Sequence, residues 1–183
     1  MKINLVVLAA GYSTRFLSNK LLTTLQGKPM IQHTFDQIDS TLFSKVIVVT
    51  QYEEIKALAD TYGFTSMHNP NPKLGISSSL RLGLQQSLDS DGCMFLVGDQ
   101  PYLKQDSIAK VCLRFDGQHI ICAANQGQLR HPVIFPKRFY PELLTLSGDQ
   151  GGRQLIQKYP NACIFVEIPW NETQDIDTPQ QLG

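Results

Sequence analysis

The sequence predicts an α/β fold: a single-domain, Rossmann-like, mostly parallel sheet with helices on both faces and a small antiparallel element. Short apolar runs alternate along the chain with segments whose apolar residues recur at helical spacing. The runs contain few polar residues, which is typical of parallel strands covered on both faces. No internal repeat, low-complexity segment or linker interrupts the 183 residues, so we expect one domain over residues 1–183.

The first half of the chain is predicted to contain three strands and three helices. Apolar runs at residues 3–9, 45–50 and 64–67 indicate the strands. Pro29 favours the start of the first helix, and the second helix is predicted over residues 52–62. The apolar positions of the first helix are Ile31, Phe35, Ile38 and Leu42. The third helix begins near residue 76, and its apolar positions are Ile76, Leu80, Leu84 and Leu88.

The second half of the chain is predicted to complete the sheet. A strand at residues 93–97 precedes a helix for which Asp106 or Ser107 is the expected N-cap. Strands at residues 119–124 and 133–135 are separated by a short Gly-containing link, so we expect them to pair antiparallel. A helix near residues 149–159 and a strand near residues 162–168 follow.

Composition limits the classes of partner. Sixteen basic residues balance sixteen acidic ones, so no overall field favours nucleic acid or a membrane surface. The apolar run in residues 1–10 has no signal-peptide cleavage pattern and is too short to span a bilayer. The four cysteines form no C-x-x-C pair and lie in apolar segments, which indicates buried free thiols. We therefore expect a cytoplasmic protein that binds anionic ligands at a local site.

The segment at residues 3–20 carries most of the functional information. Its predicted strand leads to Gly11, and the polar loop that follows contains Arg15 and Lys20. Open α/β sheets bind ligands at the carboxyl ends of their strands, and a glycine there lets backbone N–H groups approach an anion. Gly11 is the only glycine in residues 1–26, which excludes both a Walker A loop and a G-x-G-x-x-G loop. We expect the side chains of Arg15 and Lys20 to bind a triphosphate.

Two aspartates are candidate magnesium ligands. Asp99 directly follows the strand at residues 93–97, within a Gly-Asp-Gln-Pro sequence that is also typical of a surface turn. Asp177 lies in an Asp-Ile-Asp-Thr-Pro sequence whose spacing also fits a helix N-cap. Two carboxylates from distant segments are the kind of ligand set that a water-rich Mg²⁺ site requires. Both interpretations stay open for each aspartate.

Two predicted helix starts carry further candidate anion contacts. Three successive serines at residues 77–79 follow Gly75, at a helix N-terminus where N–H groups and the dipole favour anions. Capping explains one serine, and Ser78 is the preferred ligand contact. Arg153 follows a Gly-rich turn, which is typical of a plain helix start but also lets an arginine reach a phosphate. His131 begins a strand, where a lone histidine is usually structural.

These motifs together resemble a known family. The sequence Leu8-Ala9-Ala10-Gly11-x-Ser13-x-Arg15 followed by Lys20 is similar to the signature of the nucleotidyltransferase superfamily that includes sugar-phosphate nucleotidylyltransferases. The other segments look like those of molybdenum cofactor nucleotidylyltransferases, and they are most similar to the cytidylyltransferase branch that serves molybdenum hydroxylases. In chain order they are Asn69-Pro70, Gly75-Ile76-x-x-Ser78-x-Leu80, Gly98-Asp99-Gln100-Pro101, His131-Pro132-Val133, Gly148-Asp149-x-Gly151-x-Arg153 and Asp175-Ile176-Asp177-Thr178-Pro179.

The resemblance implies an enzyme that transfers CMP from CTP to the terminal phosphate of molybdopterin and releases pyrophosphate. It implies catalytic roles for Arg15, Lys20 and Asp99, and a Mg²⁺ ion bound by Asp99 and Asp177. The implied nucleotide-binding residues are Leu8, Ala9, Ala10, Gly11, Arg15, Lys20, Asn69 and Ser78. The implied acceptor-binding residues are His131, Asp149 and Arg153. A molybdenum hydroxylase apoenzyme is a further implied partner.

The sequence departs from the family pattern at two positions. Leu17 replaces a glycine that usually follows two residues after the arginine, which affects the geometry of the triphosphate loop. Gln180 replaces an acidic residue common after Thr-Pro, which affects only helix capping.

Three functional alternatives stay open. The first is the cytidylyltransferase, and the second is a guanylyltransferase or a sugar-phosphate nucleotidylyltransferase. The third is a non-catalytic nucleotide-binding regulator on the same fold. A regulator does not need both the basic pair and the acidic pair of site residues. The third alternative is therefore disfavoured by the joint presence of Arg15, Lys20, Asp99 and Asp177.

Overall fold

The structure, a computed structural model, describes residues 1–12, 19–174 and 176. Within these residues the strands, in chain order, are β1 (Ile3–Ala9), β2 (Thr24–Leu25), β3 (Lys28–Pro29), β4 (Lys45–Thr50), β5 (Thr65–His68), β6 (Gly92–Val97), β7 (Ile120–Asn125), β8 (Gln128–Pro136) and β9 (Cys163–Glu167). The helices are α1 (Met30–Asp36), α2 (Glu53–Thr61), α3 (Ile76–Gln85), α4 (Gln105–Leu113), α5 (Tyr140–Leu143) and α6 (Arg153–Lys158). None of these helices is long and apolar enough to cross a membrane.

Seven of the described strands form one sheet in the order β5-β4-β1-β6-β8-β7-β9. β1 pairs in parallel with β4 and β6, whereas β8 runs antiparallel to its neighbours β6 and β7. The predicted mostly parallel sheet is therefore confirmed. β2 and β3 form a separate antiparallel ladder that the apolar pattern did not predict. Because β1 lies between β4 and β6, the carboxyl ends of these three strands meet at one edge of the sheet.

Helices cover both faces of the sheet, as predicted. Along β1, Leu5 and Val7 pack into one face and Val6 into the other, and all three are fully buried. The Leu5 face is covered by α1, α2 and α4, and the Val6 face by α3, α5 and α6. A sheet buried on both sides explains why its strands appear in the sequence as nearly continuous apolar runs.

The predicted antiparallel pair is confirmed as β7 and β8, and it is longer than expected. β8 begins at Gln128 instead of residue 133, directly after a turn formed by Gln126 and Gly127. Both turn residues have positive φ, 49° and 74°. This conformation gives the twist that joins two antiparallel strands. The sequence does not predict this turn, because glutamine rarely adopts a left-handed conformation.

Two predicted helices end earlier than their apolar spacing indicated. α1 ends at Asp36, so Ile38 and Leu42 lie beyond the helix, where they still pack against the core. The Asp39 carboxylate accepts a hydrogen bond from the Thr41 amide, and this local bond favours a short 3-10 turn over more α-helix. α3 ends at Gln85, and Leu88 is exposed. There the Ser87 hydroxyl donates to the Gly83 carbonyl, which favours termination of the helix.

The expected starts of two later helices are also corrected. α4 begins at Gln105 with Lys104 as its N-cap residue, so neither Asp106 nor Ser107 caps it. The Lys104 amide donates to the carboxylate of Glu172, a side chain distant in sequence. Local residue spacing cannot predict a helix cap whose partner is distant in the sequence. The helix predicted near residues 149–159 is α6, and Asp149 lies in the turn that precedes it.

Candidate functional site

The candidate site is built at the edge where β1, β4 and β6 end. The three segments that leave this edge are residues 10–12 after β1, 51–52 after β4 and 98–100 after β6. The Gly98 amide donates to the Leu8 carbonyl at 3.1 Å, so the loop after β6 stays attached to β1. Ala9, Ala10 and Gly98 are all buried. The predicted base-lining and metal-binding segments therefore lie side by side.

Lys20 and Asp99, far apart in sequence, form an ion pair at this edge. The Lys20 Nζ lies 2.7 Å from Asp99 Oδ2, and the two side chains are 14% and 26% exposed. Lys20 begins a 3-10 turn whose Leu21 amide donates to the Asn19 side-chain oxygen and whose Leu21 side chain is buried. The anchored turn holds the ammonium group at the sheet edge. The structure thus brings together two of the predicted site residues.

Gly98, which precedes Asp99, packs closely against α1. A Cβ atom at Gly98 would lie 2.6 Å from Ile31 Cδ1, closer than real Cβ atoms approach other atoms. The Gly98 carbonyl accepts a hydrogen bond from the buried Thr34 hydroxyl at 3.2 Å. α1 therefore sets the position of the backbone from which the Asp99 carboxylate projects.

The C-terminal segment of the described chain also reaches this loop. The Ile176 amide donates to the Asp99 carbonyl at 3.4 Å, and the Ile176 side chain is 2% exposed in the core. Earlier in the same segment, the Glu172 carboxylate accepts a hydrogen bond from the Lys104 amide. Asp177 and Arg15, both predicted site residues, lie outside the described residues.

The donor chemistry at Asp99 fits a magnesium ion bound with few protein ligands. The carboxylate is a hard oxygen donor that is accessible from solvent, with a cation as its neighbour. No group of three His, Cys, Asp or Glu residues able to hold a metal occurs in the described part of the chain. Mg²⁺ usually keeps several waters and binds through one or two carboxylates plus substrate phosphates, and Asp99 can supply one such carboxylate.

Asn69 and Ser78, two predicted nucleotide-binding residues, contact each other. The Asn69 side-chain amide donates to the hydroxyls of Ser78 and Ser79, both at 2.9 Å, and its oxygen accepts from the Asn71 amide. The Ser78 hydroxyl donates to the Gly75 carbonyl at 2.8 Å. Asn69 is 1% exposed. In this structure these polar groups tie the loop after β5 to the start of α3.

Asp149 lies against the start of α3 as well. The Ser77 amide donates to the Gly148 carbonyl at 3.2 Å, and a Cβ at Gly75 would lie 2.6 Å from Asp149 Oδ1. The Arg81 guanidinium donates to the Leu146 carbonyl. The loop before α6 is thus docked on α3, with the Asp149 side chain exposed.

We expect Gly75→Ala to lower the free energy of unfolding by more than Gly63→Ala does. Both glycines have positive φ, +83° and +71°, so each alanine introduces backbone strain. At Gly75 the new Cβ would also lie 2.3 Å from the backbone of Gly148, whereas nothing lies within 4 Å at Gly63. The additional loss should be about 1–3 kcal/mol in urea unfolding. Equal losses would contradict the docking of this loop on α3.

His131 and Arg153 occupy separate elements near this end of the molecule. The His131 ring nitrogen Nδ1 lies 3.5 Å from the Phe95 carbonyl, so β8 places the imidazole beside β6. Arg153 is exposed at the first position of α6. The grouping of these two residues with Asp149 in a single acceptor site stays a prediction.

Three residues at the end of β4 belong to the site edge and were not predicted from the sequence. The Thr50 hydroxyl donates to the Ala9 carbonyl at 3.0 Å, and the Gln51 side chain donates to the Ala10 carbonyl at 2.7 Å. The Tyr52 hydroxyl donates to the Gly11 carbonyl at 2.9 Å. The signal was present in the sequence, since these polar residues directly follow an apolar strand, as Asp99 does.

Family comparison covers most of the chain. A family model described as the MobA-like NTP transferase domain matches residues 5–163, which include β1, Lys20, Asp99 and the start of α3. The chain belongs to the MobA-like NTP transferase domain family. It is a nucleotidyltransferase of that family.

Relatives that align over most of this MobA-like chain carry names of different functions. A probable molybdenum cofactor guanylyltransferase of Pyrococcus horikoshii is 28% identical over 187 residues, covering 94% of this chain and 93% of the relative. The purine catabolism protein PucB of Bacillus subtilis is 25% identical, covering 96% of this chain and 92% of the relative. A 3-deoxy-manno-octulosonate cytidylyltransferase of Marinobacter nauticus is 26% identical, covering 97% and 69%, respectively. The base and the acceptor thus vary among relatives of the MobA-like chain.

Solved structures share the MobA-like fold. A nucleotidyl transferase from Methanothermobacter superposes with a TM-score of 0.84 at 20% identity, covering 98% of this chain and 93% of that one. A Mycobacterium tuberculosis protein in complex with manganese gives a TM-score of 0.83 at 22% identity, covering 98% and 95%. At these identities the likeness establishes the fold alone.

Proposed function

We propose that this nucleotidyltransferase transfers CMP from CTP to the terminal phosphate of molybdopterin and releases pyrophosphate. The observation that carries the proposal is the Lys20–Asp99 ion pair at the edge where β1 and β6 end. It places a cation beside a hard oxygen ligand where open α/β sheets bind ligands. The ordered motif set, which resembles the molybdenum cofactor cytidylyltransferases over most of the chain, supports the choice of base and acceptor.

The reaction requires positioning and neutralisation of charge more than proton transfer. The acceptor phosphate is already an anion near pH 7, so its oxygen can attack the α-phosphorus of CTP without a strong general base. The bond between the α-phosphorus and the bridging oxygen breaks, and pyrophosphate leaves with the electron pair. Arg15 and Lys20 hold the leaving phosphates, where fixed positive charge stabilises the charge that develops.

Asp99 and Asp177 are the residues that we assign to Mg²⁺. A bound Mg²⁺ would supply positive charge that stabilises the negative charge developing on the phosphates. Support for the pairing comes from Ile176, which precedes Asp177 and donates its amide to the Asp99 carbonyl. The ammonium of Lys20, 2.7 Å from the Asp99 carboxylate, reduces the negative charge that the triphosphate meets as it binds.

The base and the acceptor are assigned to different parts of the same edge. The backbone of Leu8, Ala9, Ala10 and Gly11 lines the base pocket, and Asn69 and Ser78 hold the adjoining start of α3 in place. His131, Asp149 and Arg153 contribute to the acceptor side, where Arg153 is suited to a phosphate. A molybdenum hydroxylase apoenzyme is the proposed recipient of the finished cofactor.

A second candidate function is guanylyl transfer to the same acceptor. It is favoured by the Pyrococcus relative, a probable molybdenum cofactor guanylyltransferase that aligns over almost the whole chain. Sugar-acid cytidylyl transfer is represented by the Marinobacter relative, of which the alignment covers 69%. The base and the acceptor must therefore be tested separately.

We expect the protein to prefer CTP over GTP and the Ala10→Gly variant to prefer it less. Guanylyl enzymes of this family tend to carry Leu-Ala-Gly-Gly where this chain has Leu8-Ala9-Ala10-Gly11. A methyl group at the buried Ala10 would narrow the pocket floor and hinder the larger purine. One methyl changes discrimination by only about 1–3 kcal/mol, so we expect preference and not exclusion. The measurement is kcat/KM for each nucleotide.

The acceptor is tested by pyrophosphate release. We expect release with CTP only when molybdopterin is present, and a slower release with GTP. A kcat/KM that favours GTP in the unmodified protein would contradict the base assignment. Release that depends on a sugar phosphate or a sugar acid, and not on molybdopterin, would contradict the acceptor assignment.

A further inference from the structure

Consecutive residues at the end of β4 hold consecutive carbonyls of the loop after β1. Thr50, Gln51 and Tyr52 donate in turn to the carbonyls of Ala9, Ala10 and Gly11, at 3.0, 2.7 and 2.9 Å. The parallel register of the two strands, in which Ala9 lies opposite Thr50, creates this one-to-one match. We name these three donors the β4 clasp.

The clasp determines which way the loop amides point. In a trans peptide unit the C=O and N–H groups point in opposite directions. Three carbonyls directed at β4 therefore direct the N–H groups of Ala10, Gly11 and Tyr12 away from β4. These N–H groups are then hydrogen-bond donors available to a bound nucleotide. The clasp thus arranges the backbone that the proposed function assigns to the nucleotide.

The three donors are also connected to one another. The Thr50 hydroxyl accepts a hydrogen bond from the Tyr52 amide at 3.1 Å, and the Gln51 side chain donates to the Tyr52 hydroxyl at 3.3 Å. Thr50 is 2% exposed, whereas Gln51 and Tyr52 are half-buried at the rim. Burial raises the pKa of Tyr52 above its ordinary value, and nearby Tyr12 raises it further, so the hydroxyl keeps its proton at neutral pH.

We propose that the β4 clasp positions the loop after β1 for the nucleotide, and that Gln51 and Tyr52 thereby determine nucleotide affinity and base preference. The proposal rests on the nucleotide site assigned above. Gln51 and Tyr52 are positioning residues, since they act through the Ala10 and Gly11 backbone. A purely structural clasp would affect folding stability alone. A positioning clasp also changes the KM for nucleotide.

The test compares two matched tyrosine substitutions. Tyr52→Phe removes the hydroxyl that donates to Gly11, and Tyr159→Phe removes a hydroxyl that donates to Glu142 at the same distance of 2.9 Å, outside the site. Gln51→Leu removes the donor to Ala10 at similar side-chain length. We expect Tyr52→Phe and Gln51→Leu to raise the KM for CTP about two- to tenfold, the range for one hydrogen bond. We expect kcat to change by less than about twofold, because the loop binds substrate and transition state alike. The ratio of kcat/KM for CTP to that for GTP should fall.

Direct binding separates this inference from the proposed function. Calorimetric titration with CTP and Mg²⁺ measures nucleotide affinity whether or not an acceptor is present. Weaker binding by Tyr52→Phe than by Tyr159→Phe supports the clasp, even if molybdopterin proves to be the wrong acceptor. Equal nucleotide affinities and equal base ratios in the two variants would overturn it. A loss of thermal stability with unchanged KM would also overturn it, and in both cases the proposed transfer to molybdopterin would stand.

Discussion

Lys20→Ala is expected to lose activity by orders of magnitude while the protein stays folded. The Lys20 side chain is 14% exposed beside Asp99, in a turn that the buried Leu21 anchors, so we expect the fold to tolerate its truncation. The cation that stabilises departing pyrophosphate is lost, however. Removal of one such electrostatic group typically lowers kcat by about 10²- to 10³-fold. The measurements are kcat/KM for CTP and the midpoint of thermal unfolding.

The matched control for Lys20→Ala is Lys45→Ala. Lys45 also forms an ion pair, with Asp89 at 3.7 Å, but it lies at the start of β4 and therefore at the opposite edge of the sheet. The Lys45–Asp89 pair is exposed, and such pairs contribute about 0–1 kcal/mol, so Lys45→Ala should change the thermal midpoint little. Lys45→Ala should keep full activity. An active Lys20→Ala variant would exclude the proposed role, as would a variant that fails to fold.

Asp99→Asn is expected to abolish most turnover with little change in stability. Asparagine has nearly the same shape as aspartate, and the fixed Gly98 backbone would still present it at the sheet edge. The amide lacks the negative charge that Mg²⁺ requires, so we expect a loss of about 10²-fold or more. Steady-state rates across a magnesium titration measure the effect, and the requirement for magnesium should rise.

Asp89→Asn provides the matching control for Asp99→Asn. It neutralises the acidic partner of the exposed Lys45 pair and should leave both turnover and the magnesium requirement unchanged. Near-normal turnover of Asp99→Asn at limiting magnesium would contradict its assignment as a metal ligand. The turn interpretation of the sequence around Asp99 would then be the correct one.

The sheet was predictable because its strands are buried on both faces. Apolar runs such as Ile3–Ala9 and Lys45–Thr50 match the observed strands, since a doubly covered strand has no polar side to interrupt the pattern. Helix ends were less predictable. Ile31 and Phe35 are buried in the core and Ile38 and Leu42 pack against it, yet the helix stops at Asp36. Apolar spacing identified residues of the first helix region that contact the core, but local side-chain bonds such as that of Asp39 favour an earlier helix end.

The candidate site was partly predictable for a related reason. Lys20 and Asp99 each lie in a loop that follows a strand. Because the carboxyl ends of parallel strands meet at one edge of the sheet, both residues could be predicted as site residues. Their contact at 2.7 Å depends on the order of β1 and β6 in the sheet, which the sequence does not specify. The β4 clasp also depends on the strand order and could not be predicted, because its hydrogen-bond partners lie 41 residues apart in the sequence. The cap of α4 by Glu172 was hidden in the same way.

Transfer of isotope from CTP tests the central claim most directly. With CTP labelled at the α-phosphorus and molybdopterin as acceptor, we expect the label to appear in a dinucleotide product. With CTP labelled at the γ-phosphorus, we expect all of the label to appear in pyrophosphate. Label from the γ-position on the acceptor would indicate phosphoryl transfer and contradict the account. Label from the α-position that appears only in free CMP would contradict it as well.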